Sequence, residues 1–417
     1  MISPKLAEKP HFVVVHNLPS PYRLHLFNKL NEHLERDGWR LTVHFMDGLE
    51  AQAQERRVHR PNGYESLMLK WNTSISSNAK FAYKFWKVIR LPFTRGQFNP
   101  ALLFELFARK PAVVMYGGVW TAPTCAIGIG LLGGSKKVGW YEANSIIPGR
   151  TDFIARMIKR WLLRRLDWHA LPGLRAVEFT KSLLGGEKPI PISYLPNIVD
   201  ETRFIGSVFT SIDERNEYRN RLKVPTEKRL ILTPARLSSE KGLEDYLSTI
   251  AEARLANLHF MILGDGPLKA RLEEMREKLN LESVLTIVPF VNYEEMPKIY
   301  AMSDIFCLPS VIDPNPLSVV EAMHSKLPVL LSDRLGNYPE ALIEGRNGFG
   351  FSPGKREELR RALELMARIE DSEIIVMGKE SKSLAEQRFC SDLCIKKFLK
   401  LILESCPRTG GADSQRD

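Results

Sequence analysis

Residues 313–321 read Asp-Pro-Asn-Pro-Leu-Ser-Val-Val-Glu, a carboxylate at each end with a proline-marked helix start between them. Asp304 to Pro309 (Asp-Ile-Phe-Cys-Leu-Pro) predicts a short buried strand just before. Asn315 is a good N-cap, and Pro316 suits the first helical position. The amides of Leu317 and Ser318 would then have no intrahelical partner, and the positive end of the helix dipole would face out of the carboxyl edge of a sheet. Such an arrangement binds an anion. Glu321 lies one turn further on, among Val319, Val320, Ala322 and Met323. A carboxylate there is costly to bury unless something donates hydrogen bonds to it, and a ribose diol would do so. The same residues also fit a solvated helix-face glutamate beside a loop aspartate.

The flanking sequence favours the first reading. From Arg229 the chain alternates apolar strands with amphipathic helices, the strands being Leu230 to Ala235, Leu258 to Gly264, Val284 to Phe290, Ile305 to Leu308 and Val329 to Ser332. A helix from about Gly242 carries Leu243, Tyr246, Leu247 and Ile250 on one face, and one from Leu268 carries Leu272, Met275 and Leu279. Short, continuously apolar strands each followed by a helix imply a parallel, doubly wound sheet, which binds ligands outside the carboxyl ends of its strands. The loops Arg236 to Lys241, Gly264 to Pro267 and Ser310 to Pro316 fall at those ends and should converge on one crevice.

Taken together, Pro234 to Gly242 (Pro-Ala-Arg-Leu-Ser-Ser-Glu-Lys-Gly), Leu263-Gly-Asp-Gly-Pro267, the Asp313 to Glu321 pair followed by Ala-Met, Leu327-Pro-Val329 and Glu344-Gly-Arg-Asn-Gly348 resemble family 4 of the retaining glycosyltransferases. Pro19-Ser-Pro-Tyr-Arg23 and the interdomain-like Pro196-Asn-Ile-Val-Asp200 extend the resemblance into the first half. It implies the GT-B fold, an α/β architecture of two doubly wound Rossmann-like domains facing across a cleft. It also implies that Arg236 and Lys241 bind the donor's phosphates, that Glu321 holds its ribose, and that Asp313 contacts its sugar near the reacting centre. Gly264 and Gly266 would let backbone approach the nucleotide. UDP is the donor nucleotide the resemblance favours.

The residue types suit that chemistry. A sugar leaving a nucleoside diphosphate builds negative charge on the diphosphate, so the site must supply positive charge. Arg236 offers a bidentate fork and Lys241 a point charge, while no Asp-x-Asp or His/Cys cluster suggests a metal. Metal independence is the expectation, with no cofactor beyond the nucleotide-sugar substrate. Four positions depart from the family pattern. Asp313 stands where Glu is usual, and Lys326 stands where Gly usually ends the following helix. The loop His16 to Arg23 lacks a Gly-rich turn and offers Tyr22 and Arg23 instead. Glu142, in Trp140-Tyr-Glu-Ala-Asn144, lies where many relatives present a histidine; it is a candidate to orient or deprotonate the acceptor, or else an ordinary loop residue.

At 417 residues, 44% hydrophobic and 26% charged, the chain has the size and composition of a two-domain globular protein. The sequence predicts an acceptor-side domain over 1–200 and a donor domain over 201–382. A C-terminal helix over 383–405 should return to the first domain, ahead of a disordered tail over 406–417. Strands are expected at Phe12 to His16, Leu41 to Phe45, Val113 to Tyr116, Val138 to Trp140 and His169 to Leu171, whereas 51–98 resists assignment. Residues 1–200 carry 28 Lys and Arg against 15 acidic residues, a net charge of +13, and the remainder of the chain nets −3.

Within that basic half, Phe153 to Trp168 is a cationic helix with large apolar residues, and Asn78 to Phe98 interleaves cations with aromatics. Both suit an anionic membrane surface; the helix equally fits one packed on the sheet with a solvated basic face. No nucleic-acid module is recognisable. Ala112 to Gly134 is 23 residues without a charge, but Pro123 and its glycines fit a strand, a turn and a helix better than a membrane span. No signal pattern opens the chain, and the five cysteines have no paired spacing, so a cytoplasmic protein, peripheral on the inner face of the membrane, is expected. The activity implied is transfer of a sugar to a membrane-associated glycan or lipid-linked acceptor. A sugar-nucleotide epimerase of the same fold and a catalytically silent nucleotide-sugar-binding protein are the alternatives.

Overall fold

The computed structural model describes residues 9–17, 20–46, 79–85, 89–90, 97–117, 119, 123–146, 153–185, 189–204 and 208–406. The strands in chain order are β1 (His11–His16), β2 (Arg40–Phe45), β3 (Ala82–Phe85), β4 (Ile89–Arg90), β5 (Gln97–Phe98), β6 (Val113–Gly117), β7 (Lys136–Trp140), β8 (Trp168–Leu171) and β9 (Ile192–Tyr194). They continue with β10 (Arg229–Pro234), β11 (Leu258–Leu263), β12 (Leu285–Val288), β13 (Ile305–Leu308), β14 (Val329–Ser332) and β15 (Gly348–Phe351). Two open sheets result, in the orders β3-β2-β1-β6-β7-β8-β9 and β12-β11-β10-β13-β14-β15, every pair within them parallel. The two-residue strands β4 and β5 form a separate antiparallel ribbon.

Both faces of each sheet are covered, which is why the strands read as unbroken apolar runs. Phe12 and Val14 join one hydrophobic cluster while Val13 and Val15 join another; Leu230 and Leu232 face one cluster of the second sheet and Ile231 the opposite one. The expected strands of both halves are present. Missed were β3 and the β4–β5 ribbon within 51–98, and the edge strands β9 and β15; Gly348 and Gly350 make β15 look like loop. Residues 47–78 and, of the expected tail over 406–417, all but Cys406 lie outside the described residues. The charge-free stretch resolves into β6 and the helix Pro123–Leu131. Among the described residues no helix is long and apolar enough to cross a membrane.

The chain passes between the two sheets at adjacent residues: Ile198 is buried in the first domain's core and Val199 in the second's. It passes back near the C-terminus, where the structure corrects the expectation of one helix starting at Ser383. Asp371–Arg388 and Ser391–Glu404 are separate helices, broken where Cys390 adopts an extended backbone. Leu384, Ala385 and Phe389 fill the second core; Ile395, Phe398, Leu399 and Ile402 fill the first. A straight helix could not serve both. Ser391 ties the two passages together, its hydroxyl bonded to the Val199 carbonyl (3.1 Å) and to Glu201 (2.5 Å).

Candidate donor-binding site

In each sheet the strand order reverses once, between β1 and β6 and between β10 and β13. At such a switch point the loops leaving neighbouring strands diverge and open a crevice. In the second domain those loops carry Arg236 to Lys241 after β10 and Ser310 to Pro316 after β13, so the fold itself brings the sequence-selected residues together.

Lys241 closes a single 3₁₀ turn, Ser239–Lys241, and its Nζ lies 2.5 Å from Oδ2 of Asp313, both side chains largely buried. Gly242 follows with φ +65°, and a Cβ there would sit 2.4 Å from the Pro309 carbonyl, so the turn can press on the β13 loop only as glycine. Arg236 is exposed at the end of β10. Asp313 and Lys241 thus form a pair, and Arg236 is the exposed cation of the two that were assigned to phosphate. Gly264 and Gly266 sit against Ala235 and Leu237: a Cβ would approach their carbonyls to 1.9 and 2.4 Å. Their lack of a side chain lets two loops of the site pack together.

The helix after Asp313 spans Leu317–His324, one residue shorter at its start than expected. Pro316, not Asn315, occupies the cap position, because its ψ of 120° is extended. No side chain caps the helix, so the amides of Leu317 and Ser318 are still its leading donors. Glu321 is 2% exposed, which rules out a solvated helix face. Its two oxygens are already engaged, Oε1 by the Tyr22 hydroxyl at 2.8 Å and Oε2 by the Tyr300 hydroxyl at 2.6 Å. Burial raises the Glu321 carboxyl above its ordinary range, opposed by these two hydrogen bonds and by Arg203. Burial also pushes both phenols far up, so they act as neutral donors.

Tyr22 belongs to the first domain. Ser20 caps the helix Pro21–Arg36 through the amide of Arg23, which fixes Tyr22 and Arg23 in its first turn, just past the end of β1. Arg23 lies 4.2 Å over the Trp140 ring and donates to Glu142 at 2.7 Å and to Asn197 at 3.1 Å. Glu142 is therefore ion-paired rather than free. Sequence reasoning missed Asn144, Asn197 and Asn337, whose side-chain amides donate to three successive carbonyls: Pro314 (3.0 Å), Asn315 (3.3 Å) and Pro316 (3.0 Å). A signal was available, since Pro314 and Pro316 interrupt any backbone pairing and leave buried carbonyls needing side-chain donors. Across the same interface Glu340 accepts from the Leu174 amide at 2.6 Å, at the start of the helix Leu174–Leu184, and Arg175 donates to the Leu335 carbonyl at 3.0 Å. Among the described residues no three His, Cys, Asp or Glu side chains converge as a metal site.

The profile of the family described as glycosyl transferases group 1 matches residues 214–382. Alpha-monoglucosyldiacylglycerol synthase of Acholeplasma laidlawii is 27% identical over 172 residues, 40% of this chain and 42% of that protein. Sulfoquinovosyl transferase of Arabidopsis thaliana is 32% identical over 167 residues, 39% of this chain and 31% of that one. The chain thus spans less than half the length of these relatives. Across almost its whole length it superposes on HepE of Anabaena, solved in complex with UDP, with a TM-score of 0.72 at 16% identity, covering 94% of this chain and 100% of that one. At that identity the likeness establishes the fold alone. With that fold over its length and the family profile over its second sheet, the chain is built as a GT-B protein whose residues 214–382 are similar to the group 1 glycosyltransferases.

Proposed function

We propose that the protein is a retaining glycosyltransferase that moves a sugar from a nucleoside-diphosphate sugar to a membrane-associated glycan or lipid-linked acceptor. The observation that carries this reading is the joining of Lys241, Asp313, the open helix start at Leu317 and the buried Glu321 at the switch point of the second sheet. The diphosphate is held by Arg236 and the amides of Leu317 and Ser318, where an anion meets the positive end of a helix dipole. As the glycosidic bond breaks, this fixed charge stabilises the leaving diphosphate without a metal ion. The ribose diol takes the place of the Tyr22 hydroxyl on Glu321. Asp313 meets the sugar, with Lys241 holding its carboxylate in place. Glu142, fixed by Arg23 at the facing sheet edge, orients the acceptor. UDP is the proposed nucleotide, consistent with the UDP bound to the HepE neighbour.

The acceptor class rests on the helix Phe153–Leu163. Leu162 and Leu163 pack inward, yet Phe153 is 76% exposed and Ile154 72%, and Met157, Ile158 and Trp161 continue the outward apolar face beside Arg156, Lys159, Arg160, Arg164 and Arg165. Packing on the sheet therefore does not account for its large apolar residues. An anionic bilayer does, through apolar insertion together with roughly 1 kcal/mol per nearby cation. In this parallel sheet the helix follows β7 and so begins near the edge that carries Glu142. That brings the cleft to the surface where a lipid-held acceptor lies.

The test is nucleoside-diphosphate release from a panel of nucleotide sugars in excess chelator, with and without lipid-linked acceptor. Acceptor-dependent release that persists in chelator is the expected result. Loss of release restored by magnesium or manganese would refute the cation assignment. Turnover of the donor without acceptor and without release would favour an epimerase.

A further inference from the structure

We infer that Asn144 and Asn197, residues of the first domain, are positioning residues for the donor site of the second. This inference rests on the donor reading above and adds to it a dependence of transfer on the facing domain.

The segment Pro314-Asn315-Pro316 joins Asp313 to the helix that begins at Leu317, so its course sets the distance and angle between the carboxylate and the helix start. Two of its three residues lack an N–H and none lies in a strand, so its backbone has little means of fixing itself. Each of its carbonyls is instead held by a buried amide side chain, Asn144 on Pro314, Asn197 on Asn315 and Asn337 on Pro316. Only Asn337 comes from the same domain.

The two amides from the first domain are oriented without ambiguity. Oδ1 of Asn144 accepts from the Ile146 amide at 3.1 Å, and Oδ1 of Asn197 accepts from the Arg23 guanidinium at 3.1 Å. Both of those partners can only donate, so in each case the NH₂ group faces the 314–316 segment. Asn197 is in turn fixed through Arg23, which Glu142 and the Trp140 ring hold. The close fit continues behind Asn144: a Cβ on Gly336 would lie 1.5 Å from the Pro314 carbonyl and 3.0 Å from Nδ2 of Asn144.

Donor nucleotide can bind to groups of the second domain alone. The alignment of Asp313 with the helix start is completed only when Asn144 and Asn197 reach across. They thereby couple apposition of the two domains to transfer without touching the donor.

The variants are Asn144→Ala, Asn197→Ala, the pair together, and Asn144→Asp, which keeps the shape but turns a donor into a second acceptor facing the Pro314 carbonyl. Two measurements are made on the full-length protein. The first is hydrogen exchange of the ligand-free chain over residues 310–320, where exchange in the double variant should rise several-fold over wild type. This arm needs no nucleotide and so reads the clamp even if the donor assignment is wrong. The second is UDP affinity by calorimetry beside the turnover number with a turned-over nucleotide sugar. UDP affinity should stay within about twofold of wild type while turnover falls by about tenfold or more, the split that marks an interaction needed in the transition state rather than for binding. Asn144→Asp should lose at least as much as Asn144→Ala. Unchanged exchange over 310–320 would overturn the inference. So would affinity and turnover falling together in step with thermal stability, the behaviour of residues that merely hold the fold together.

Discussion

Glu321 shows how much one side chain can decide. A carboxylate placed among Val319, Val320, Ala322 and Met323 is kept there by two tyrosine hydroxyls, one from each domain. Because burial raises its carboxyl, the folded protein holds a proton above the ordinary carboxyl value of 4.5 at which the unfolded chain gives it up. Between those two values the native state binds more protons, so this group's contribution to stability falls as pH rises through that window. Glu321→Gln removes the dependence, and its stability relative to wild type should improve from acid toward neutral pH in urea titrations. The same variant should weaken UDP binding by about 1.5–3 kcal/mol, the worth of a hydrogen bond to a charged acceptor. Undiminished affinity in calorimetry would return Glu321 to a purely structural role. Tyr22→Phe should act in the opposite sense: with no hydroxyl for the ribose to displace, UDP should bind more tightly, by up to about 1 kcal/mol. Weaker binding would make Tyr22 part of the donor pocket instead. Asp313→Asn should leave UDP affinity nearly intact and depress turnover, since its assigned partner is the sugar; a parallel loss of both would mean that its pairing with Lys241 shapes the nucleotide site.

Two helices carry information beyond their length and polarity. The helix Leu317–His324 ends with Lys326 at φ +61°, a left-handed residue where glycine would be free of strain, so the sequence's suspicion of a non-glycine there is met by the backbone. The helix Phe153–Leu163 could be recognised from sequence as basic and amphipathic, but not which way it faced, because packing on the sheet and insertion into lipid call for the same residues. In the structure Leu162 and Leu163 are buried while Phe153, Ile154 and Met157 lie outside, and the proposed membrane contact rests on that exposure. Replacing Arg156, Lys159, Arg160, Arg164 and Arg165 with Gln should lower cosedimentation with anionic vesicles, and the binding that remains should no longer depend on salt. UDP affinity should not change. Failure of the native protein to bind such vesicles at low salt would remove the membrane reading.

At the scale of the molecule, two cores are joined by two passages of chain only a few side chains apart. Ser391 joins them by bonding to Val199 and Glu201, and His25 Nε2 approaches the same hydroxyl at 2.9 Å. Ser391→Ala leaves both cores untouched but deprives the largely buried Glu201 carboxylate of a partner, at a cost of about 1–3 kcal/mol. The expected result in urea is a lower midpoint; an unchanged midpoint would show that packing alone holds the passages.

The paired parallel sheets were legible in the sequence because continuously apolar strands alternating with amphipathic helices have few other ways to bury both strand faces. That the segments carrying Arg236, Lys241, Asp313, Leu317, Ser318 and Glu321 meet was legible for a related reason: a switch point collects the loops that follow neighbouring strands, and those loops follow from chain order. Edge strands such as β15 were less visible, since their glycines serve close packing rather than strand propensity. What only the tertiary structure decided lies across the gap between domains. Hydrogen bonds between residues 299 positions apart, as for Tyr22 and Glu321, or 170 apart, as for Asn144 and Pro314, leave no periodic trace in either local segment. They arise from the relative placement of two cores, which is set by side-chain complementarity over the whole interface, and local pattern carries no record of it.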